Sequence, residues 1–205
     1  MSFRIGDPWI TSVVLLWLGA IGWLLTTDLE PGKGAVAQSL ERNVAALMID
    51  DGFYYHRIAE NLASGKGSTF DGIHDTNGYH PLWLLCLTAV AAVVNSARTA
   101  LLAGFGLQVL LVAATAASLY RVARLGLAAS SAAVAVVVWL ILQCGYWPSL
   151  SGMEHALQTF LIAQLLLLTI REEARQVRAN RPPRTSSPTA VFAGRAAPSP
   201  LAQSP

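Results

Sequence analysis

Residues 81–170 read PLWLLCLTAVAAVVNSARTALLAGFGLQVLLVAATAASLYRVARLGLAASSAAVAVVVWLILQCGYWPSLSGMEHALQTFLIAQLLLLTI, ninety positions with only four charges: Arg98, Arg121, Arg124 and Glu154. An ionised side chain at mid-bilayer costs several kcal/mol, so a stretch this poor in charge is expected to lie mostly in lipid. Polar breaks divide it into 81–94, 99–120, 128–146 and 155–170. The first of these, fourteen residues, has the length of an interfacial or re-entrant helix and completes a crossing only by borrowing 78–80 or 95–97. Composition points the same way, with 54% hydrophobic and 13% charged residues in 205, about half the charge of an ordinary soluble domain. The expected fold is an all-α integral membrane protein of four or five transmembrane helices, with an extracytoplasmic first loop of short amphipathic helices and a disordered C-terminal tail.

Working toward the N-terminus, residues 10–25 are apolar and uncharged, preceded by Trp9 and closed by Thr26, Thr27 and Asp28. They predict a first transmembrane helix over 9–27 after a short cytoplasmic end, 1–8. A secretory signal is the competing reading, permitted by Arg4 and the small residues Ala35-Val36-Ala37. That cleavage site lies far beyond the apolar core, and Trp9, Trp17 and Trp23 suit an anchor better. Residues 28–80 then carry eight acids against four bases, a net charge of −4. Within them Val36, Leu40, Val44 and Leu47 recur at helical spacing, predicting an amphipathic helix along the membrane surface. A second short helix is expected to follow Asp50 and end near Ser64-Gly65; 65–78, with its glycines, reads as irregular loop.

Toward the C-terminus a basic helical extension (171–181, with Arg171, Arg175, Arg178 and Arg181) passes through Arg184 into 182–205. That tail holds six of the ten prolines and too few large apolar residues to bury a core. Lys and Arg concentrate on the cytoplasmic side, so the acidic loop is expected outside. If 81–94 does not cross, Arg121 and Arg124 fall inside, Glu154 outside and the 171–184 cluster inside, leaving only Arg98 badly placed. If it does cross, Glu154 and the cluster exchange sides. The net charge of +2 suggests no nucleic-acid surface. Cys86 and Cys144 lie in apolar runs without further ligands at metal spacing and read as packing residues.

The residues able to carry chemistry gather in the acidic loop. Asp50 and Asp51 either cap the second loop helix and complement its dipole, or supply a general base or hard oxygen ligands for a divalent cation. His56, His74 and His80 share the segment, but their spacing matches no zinc pattern. Gly65-Lys66-Gly67-Ser68 fails as a phosphate loop, because Glu60 replaces its first Gly and Gly67 follows the Lys. Ser151-Gly152-Met153-Glu154 spells a capping box for the last apolar helix. Glu154 is equally a functional candidate, as the single acid in ninety apolar residues.

The ordered combination Asp50-Asp51-Gly52-Phe53-Tyr54-Tyr55-His56-Arg57-Ile58-Ala59-Glu60-Asn61-Leu62, Gly65 to Gly67, and Thr76-Asn77-Gly78-Tyr79-His80-Pro81-Leu82-Trp83 resembles the first extracytoplasmic loop of bacterial GT-C glycosyltransferases. These multi-spanning enzymes take a sugar from a polyprenyl-phosphate carrier. Ser151-Gly152-Met153-Glu154-His155-Ala156-Leu157 is similar to a second acidic element of many such sequences, so that the likeness covers roughly 9–168. The resemblance implies a multi-pass protein of the bacterial cytoplasmic membrane and inverting transfer, with Asp51 or Asp50 as base. It further implies Arg57, His80 and Glu154 as substrate-binding residues, and either a divalent metal ion as a cofactor or an arginine, Arg57 or Arg98, to meet the departing phosphate. Family members run to eight or more spanning helices, so this chain is expected to be inactive alone, either a truncated N-terminal fragment or a short relative working with a second chain that supplies the missing helices. The alternative class is a non-catalytic membrane scaffold or binding protein.

Overall fold

The computed structural model describes residues 7–27, 36–94, 96–145 and 150–180. Expectations for Arg4, Asp28, Ala35, Arg181, Arg184 and the 182–205 tail lie outside these residues. The described chain is helical: α1 (Pro8–Thr26), α2 (Val36–Leu47), α3 (Asp50–Ala63), α4 (Pro81–Val93), α5 (Ala97–Ala123), α6 (Ala129–Gly145) and α7 (His155–Ala179). Its extended backbone pairs only at one antiparallel bridge, Thr69 with Asp75. The chain divides into two units, Met1–Ile170 and Arg171–Pro205.

Two helices, Pro8–Thr26 and Ala97–Ala123, are long and apolar enough to cross a membrane. Pro81–Val93 and Ala129–Gln143 are apolar but shorter. At 1.5 Å per residue the thirteen residues of α4 reach about 20 Å, against the ~30 Å of a hydrocarbon core.

Both ends of α1 are closed by side chains. Asp7 accepts from the Trp9 N–H at 3.1 Å, and Pro8 at the first helical position has no N–H to lose. At the other end Asn43 of α2 donates to the carbonyls of Leu24, Leu25 and Thr27 at 3.0–3.1 Å, groups a helix end leaves unsatisfied. This contact belongs to a wider departure from the expected surface helix. Three residues of the α2 stripe face protein: Val44 is buried and, with Leu40 and Leu47, packs in the cluster that holds Ile21 and Leu25 of α1 and Phe105 and Val112 of α5. Spacing shows that a helix has an apolar face, but not whether lipid or another helix covers it.

The second cluster joins the loop to the apolar half of the chain. Tyr55, Ile58 and Ala59 of α3 bury Trp83, Leu84 and Leu87 of α4. His56, on the same turn of α3, packs against α5 at Gly104, where a Cβ would collide with the imidazole Cε1. Deeper in the apolar zone Gln164 of α7 donates to Ser118 of α5 at 2.7 Å, the polar tie that joins apolar helices where burial alone gives little preference.

Candidate functional site

The α3 helix starts at Asp50 with Ile49 as its N-cap residue and no capping side chain. The expected cap by Asp50 is therefore replaced: Asp50 and Asp51 both lie in the first turn, where negative charge complements the helix dipole. Gly52 follows because the backbone of the 150–154 turn leaves no room for a side chain. A Cβ there would collide with the Ser151 carbonyl oxygen and stand 2.9 Å from Gly152 Cα. The Ile49 N–H donates to that same Ser151 oxygen at 3.1 Å.

The turn is held from three sides. Trp83 Nε1–H donates to the Gly152 carbonyl at 2.8 Å, and Gln108 of α5 donates to the Met153 carbonyl at 2.7 Å while accepting from the Gly152 N–H at 3.2 Å. Gly152 has φ +88°, a conformation closed to a helical residue, so the capping box spelled by Ser151 and Glu154 does not form as a first turn. The helix begins one residue after Glu154, at His155.

Glu154, 6% exposed, turns its carboxylate toward the loop. Tyr55 donates its hydroxyl hydrogen to Oε2 at 3.3 Å, and His80 Nε2 stands 3.1 Å from Oε1. The Tyr55 hydroxyl also accepts the His80 backbone N–H at 2.7 Å. Burial raises the Tyr55 pKa, and the charges of Glu154 and Asp51 push the same way against the lowering His80 N–H bond. Tyr55 is thus fixed as a neutral donor, and the buried carboxylate has the partners such a group requires.

Among the other expected site residues, Asp51 is exposed and lies one helical turn before Tyr55, on the same face of α3. Asp50 precedes Tyr54 in the same way, and Tyr54 turns to the 65–78 loop, where its hydroxyl bonds that of Thr76 at 2.6 Å. Arg57 lies apart from His80 and Glu154. It pairs with Glu60 at 3.4 Å and lines an open cleft of about 350 Å³ with Asn61, Lys66, Ala91, Ser96 and Ala100. Arg98 pairs with Glu41 of α2 at 2.9 Å.

The three loop histidines have separate environments. Burial lowers the His56 pKa to about 4. His74 is paired with Asp71 at 2.7 Å; this partner raises the His74 pKa and, with backbone N–H groups, depresses that of Asp71. The loop expected to be irregular is tied at several points. Asn61 donates to the Thr69 and Phe70 carbonyls at 2.7 and 3.2 Å, and the Ser68 hydroxyl donates to the Thr76 carbonyl at 2.7 Å.

No group of three His, Cys, Asp or Glu side chains converges among the described residues. His80 and Glu154 are already engaged with each other, and the exposed Asp50 and Asp51 are joined by no third such ligand among the described residues. Sequence reasoning named His80 and Glu154 but missed Tyr55, Gln108, Trp83 and the glycine contact between them. A signal existed for Gln108, a lone amide in an otherwise apolar span, where polar side chains are costly unless engaged. Comparison of the chain with protein-family models, with curated proteins and with solved structures finds no match.

Proposed function

We propose that this chain carries the acceptor-activating part of a membrane glycosyltransferase. It would move a sugar from a polyprenyl-phosphate donor to an acceptor hydroxyl at the extracytoplasmic face of a bacterial cytoplasmic membrane. The observation that carries the reading is the meeting of Glu154 with Tyr55 and His80, 99 and 74 positions away in the chain. The two regions resembling the family, the acidic loop and the 151–157 element, thereby become one polar cluster beside Asp51.

Topology supports the same reading. The start of α4 is tied to α3 through the Tyr55 and His80 bond, and the start of α5 is tied to α2 through Arg98 and Glu41. In this reading α4 leaves and returns on the side of the loop that holds α2 and α3, and α5 and the shorter α6 cross, bringing Glu154 back to the same side. Arg98, the one base that strained the positive-inside pattern, is there neutralised by Glu41.

In the proposed reaction the acceptor oxygen attacks the anomeric carbon as the carbon–oxygen bond to phosphate breaks. The acceptor proton passes to Asp51, and the polyprenyl phosphate leaves with the bonding pair. Asp51 is preferred to Asp50 because it shares the Tyr55 face. A bilayer-embedded donor places the reaction at an interface, where the exposed Phe53 and Ile49 beside the acidic pair would meet headgroups.

The test is sugar transfer from a radiolabelled polyprenyl-phosphate donor by membranes containing the chain. Asp51→Asn is expected to lower transfer on the order of 10²-fold or more with unchanged membrane insertion, and Asp50→Asn to cost much less. Full activity of the double Asn variant would remove the pair from catalysis and leave a binding or scaffold role.

A further inference from the structure

We infer that His80 is the group that meets the departing phosphate, with Glu154 acting as its positioning residue. This inference rests on the transferase reading above. Glu154 has its two carboxylate oxygens engaged, by His80 Nε2 at 3.1 Å and by the Tyr55 hydroxyl at 3.3 Å, and its side chain is 8% exposed against 62% for that of His80. It therefore presents no free oxygen to a substrate, whereas the imidazole it holds lies open.

The ring is held at Nε2 by Glu154, and the main chain that carries it is fixed at two points. The His80 backbone N–H is held by Tyr55 at 2.7 Å, and Pro81 immediately follows in the first turn of α4, fixing the exit of the chain. With Nε2–H donated to Glu154, Nδ1 is the other ring atom, and among the described residues nothing engages it. A ring protonated on both nitrogens would donate Nε2–H to Glu154 and Nδ1–H to an anion, with the buried carboxylate stabilising the cation it creates.

Negative charge develops on the leaving phosphate oxygens as the bond to the anomeric carbon breaks, so a fixed donor aimed there stabilises the transition state. Asp51 faces the opposite task, taking the proton from the acceptor, and both groups flank Tyr55. Arg57 is the competing cation, but it lines the cleft by Ala91 and Ser96 and is paired with Glu60.

Binding tests this without requiring turnover. The full chain, ¹⁵N-labelled at histidine and embedded in nanodiscs, is titrated with decaprenyl phosphate and, as a control for the lipid tail, with decaprenol. The expected result is a shift of the His80 Nδ1 resonance with the phosphate and none with the alcohol. Loss of at least 10-fold in decaprenyl phosphate affinity is expected in His80→Gln and in Glu154→Gln, with little change in Arg57→Gln. Rescue of affinity in Glu154→Asp, which keeps the charge, separates positioning from a loss of fold. Phosphate-dependent binding that persists in His80→Gln and falls in Arg57→Gln would overturn the inference and leave the transferase reading standing. Equal binding of phosphate and alcohol, or none of either, would overturn the donor assignment and the inference with it.

Discussion

At the scale of single residues the glycines separate contact from convenience. Gly52 and Gly152 touch each other's backbone: a Cβ on Gly152 would lie 2.7 Å from Gly52 Cα, and Gly152 is additionally at φ +88°. Alanine at either should cost about 1–3 kcal/mol through forced displacement of main chain, read as a lower midpoint of denaturant unfolding in micelles. Gly106 meets nothing within 4 Å and is interior to a helix, so Gly106→Ala should show no loss; equal losses at all three would contradict the packing described. Gly52 was legible in principle, since a glycine among helix-forming residues asks for a reason such as close approach, but which backbone approaches it is set by a turn a hundred residues away. His56 gives a second residue-scale expectation. Its folded pKa of about 4 lies below the ~6.5 of an unfolded chain. The unfolded state thus binds the proton first, and this residue's contribution to stability falls as pH drops from about 6.5 to about 4, then levels off. Unfolding midpoints followed across that window should fall in the wild type and fall less in His56→Phe; parallel curves would show that the ring titrates normally.

At the scale of elements, the sequence pattern located the helices better than their partners. The four segments cut from 81–170 by their polar breaks each became a helix, and α3 closed at Ser64 with Gly65 at φ +77°, as a glycine after the last apolar residue suggests. The amphipathic period of α2 was equally plain, yet its cover was not, because lipid and protein both accept Val44 and Leu47. The same limit hid the environment of Glu154. A capping box and a buried acid share one spelling, and the decision between them came from the φ of Gly152 and from Tyr55 and His80, neither of which is near in sequence. For α2 the consequence is measurable. Asn43 closes the end of α1 with three hydrogen bonds, so Asn43→Ala should cost about 1 kcal/mol or more by leaving carbonyls unsatisfied. Hydrogen exchange should rise locally in α2 and at the end of α1, and an unchanged exchange pattern would argue against this contact.

At the scale of the whole molecule, the proposed site depends on residues 50–80, 96–98 and 150–154 sharing one side of the bilayer. Two ties bring these segments together, Glu154 with His80 at 3.1 Å and Arg98 with Glu41 at 2.9 Å, and on the proposed reading α4 enters and leaves on the same face. The sequence left this open because fourteen apolar residues, 81–94, fall between an interfacial helix and a span. On the same reading, the bias of Lys and Arg puts the shared side outside, with Arg121 and Arg124 inside. The most direct test is impermeant maleimide labelling of single cysteines in intact cells, on a background lacking Cys86 and Cys144. The positions are Lys66→Cys, Ala97→Cys and Gly126→Cys, all exposed and outside the polar cluster. Labelling of residues 66 and 97 from outside, with residue 126 reached only after lysis, is the predicted result; residue 97 labelling on the side opposite residue 66 would show that α4 crosses and would contradict the one-sided site.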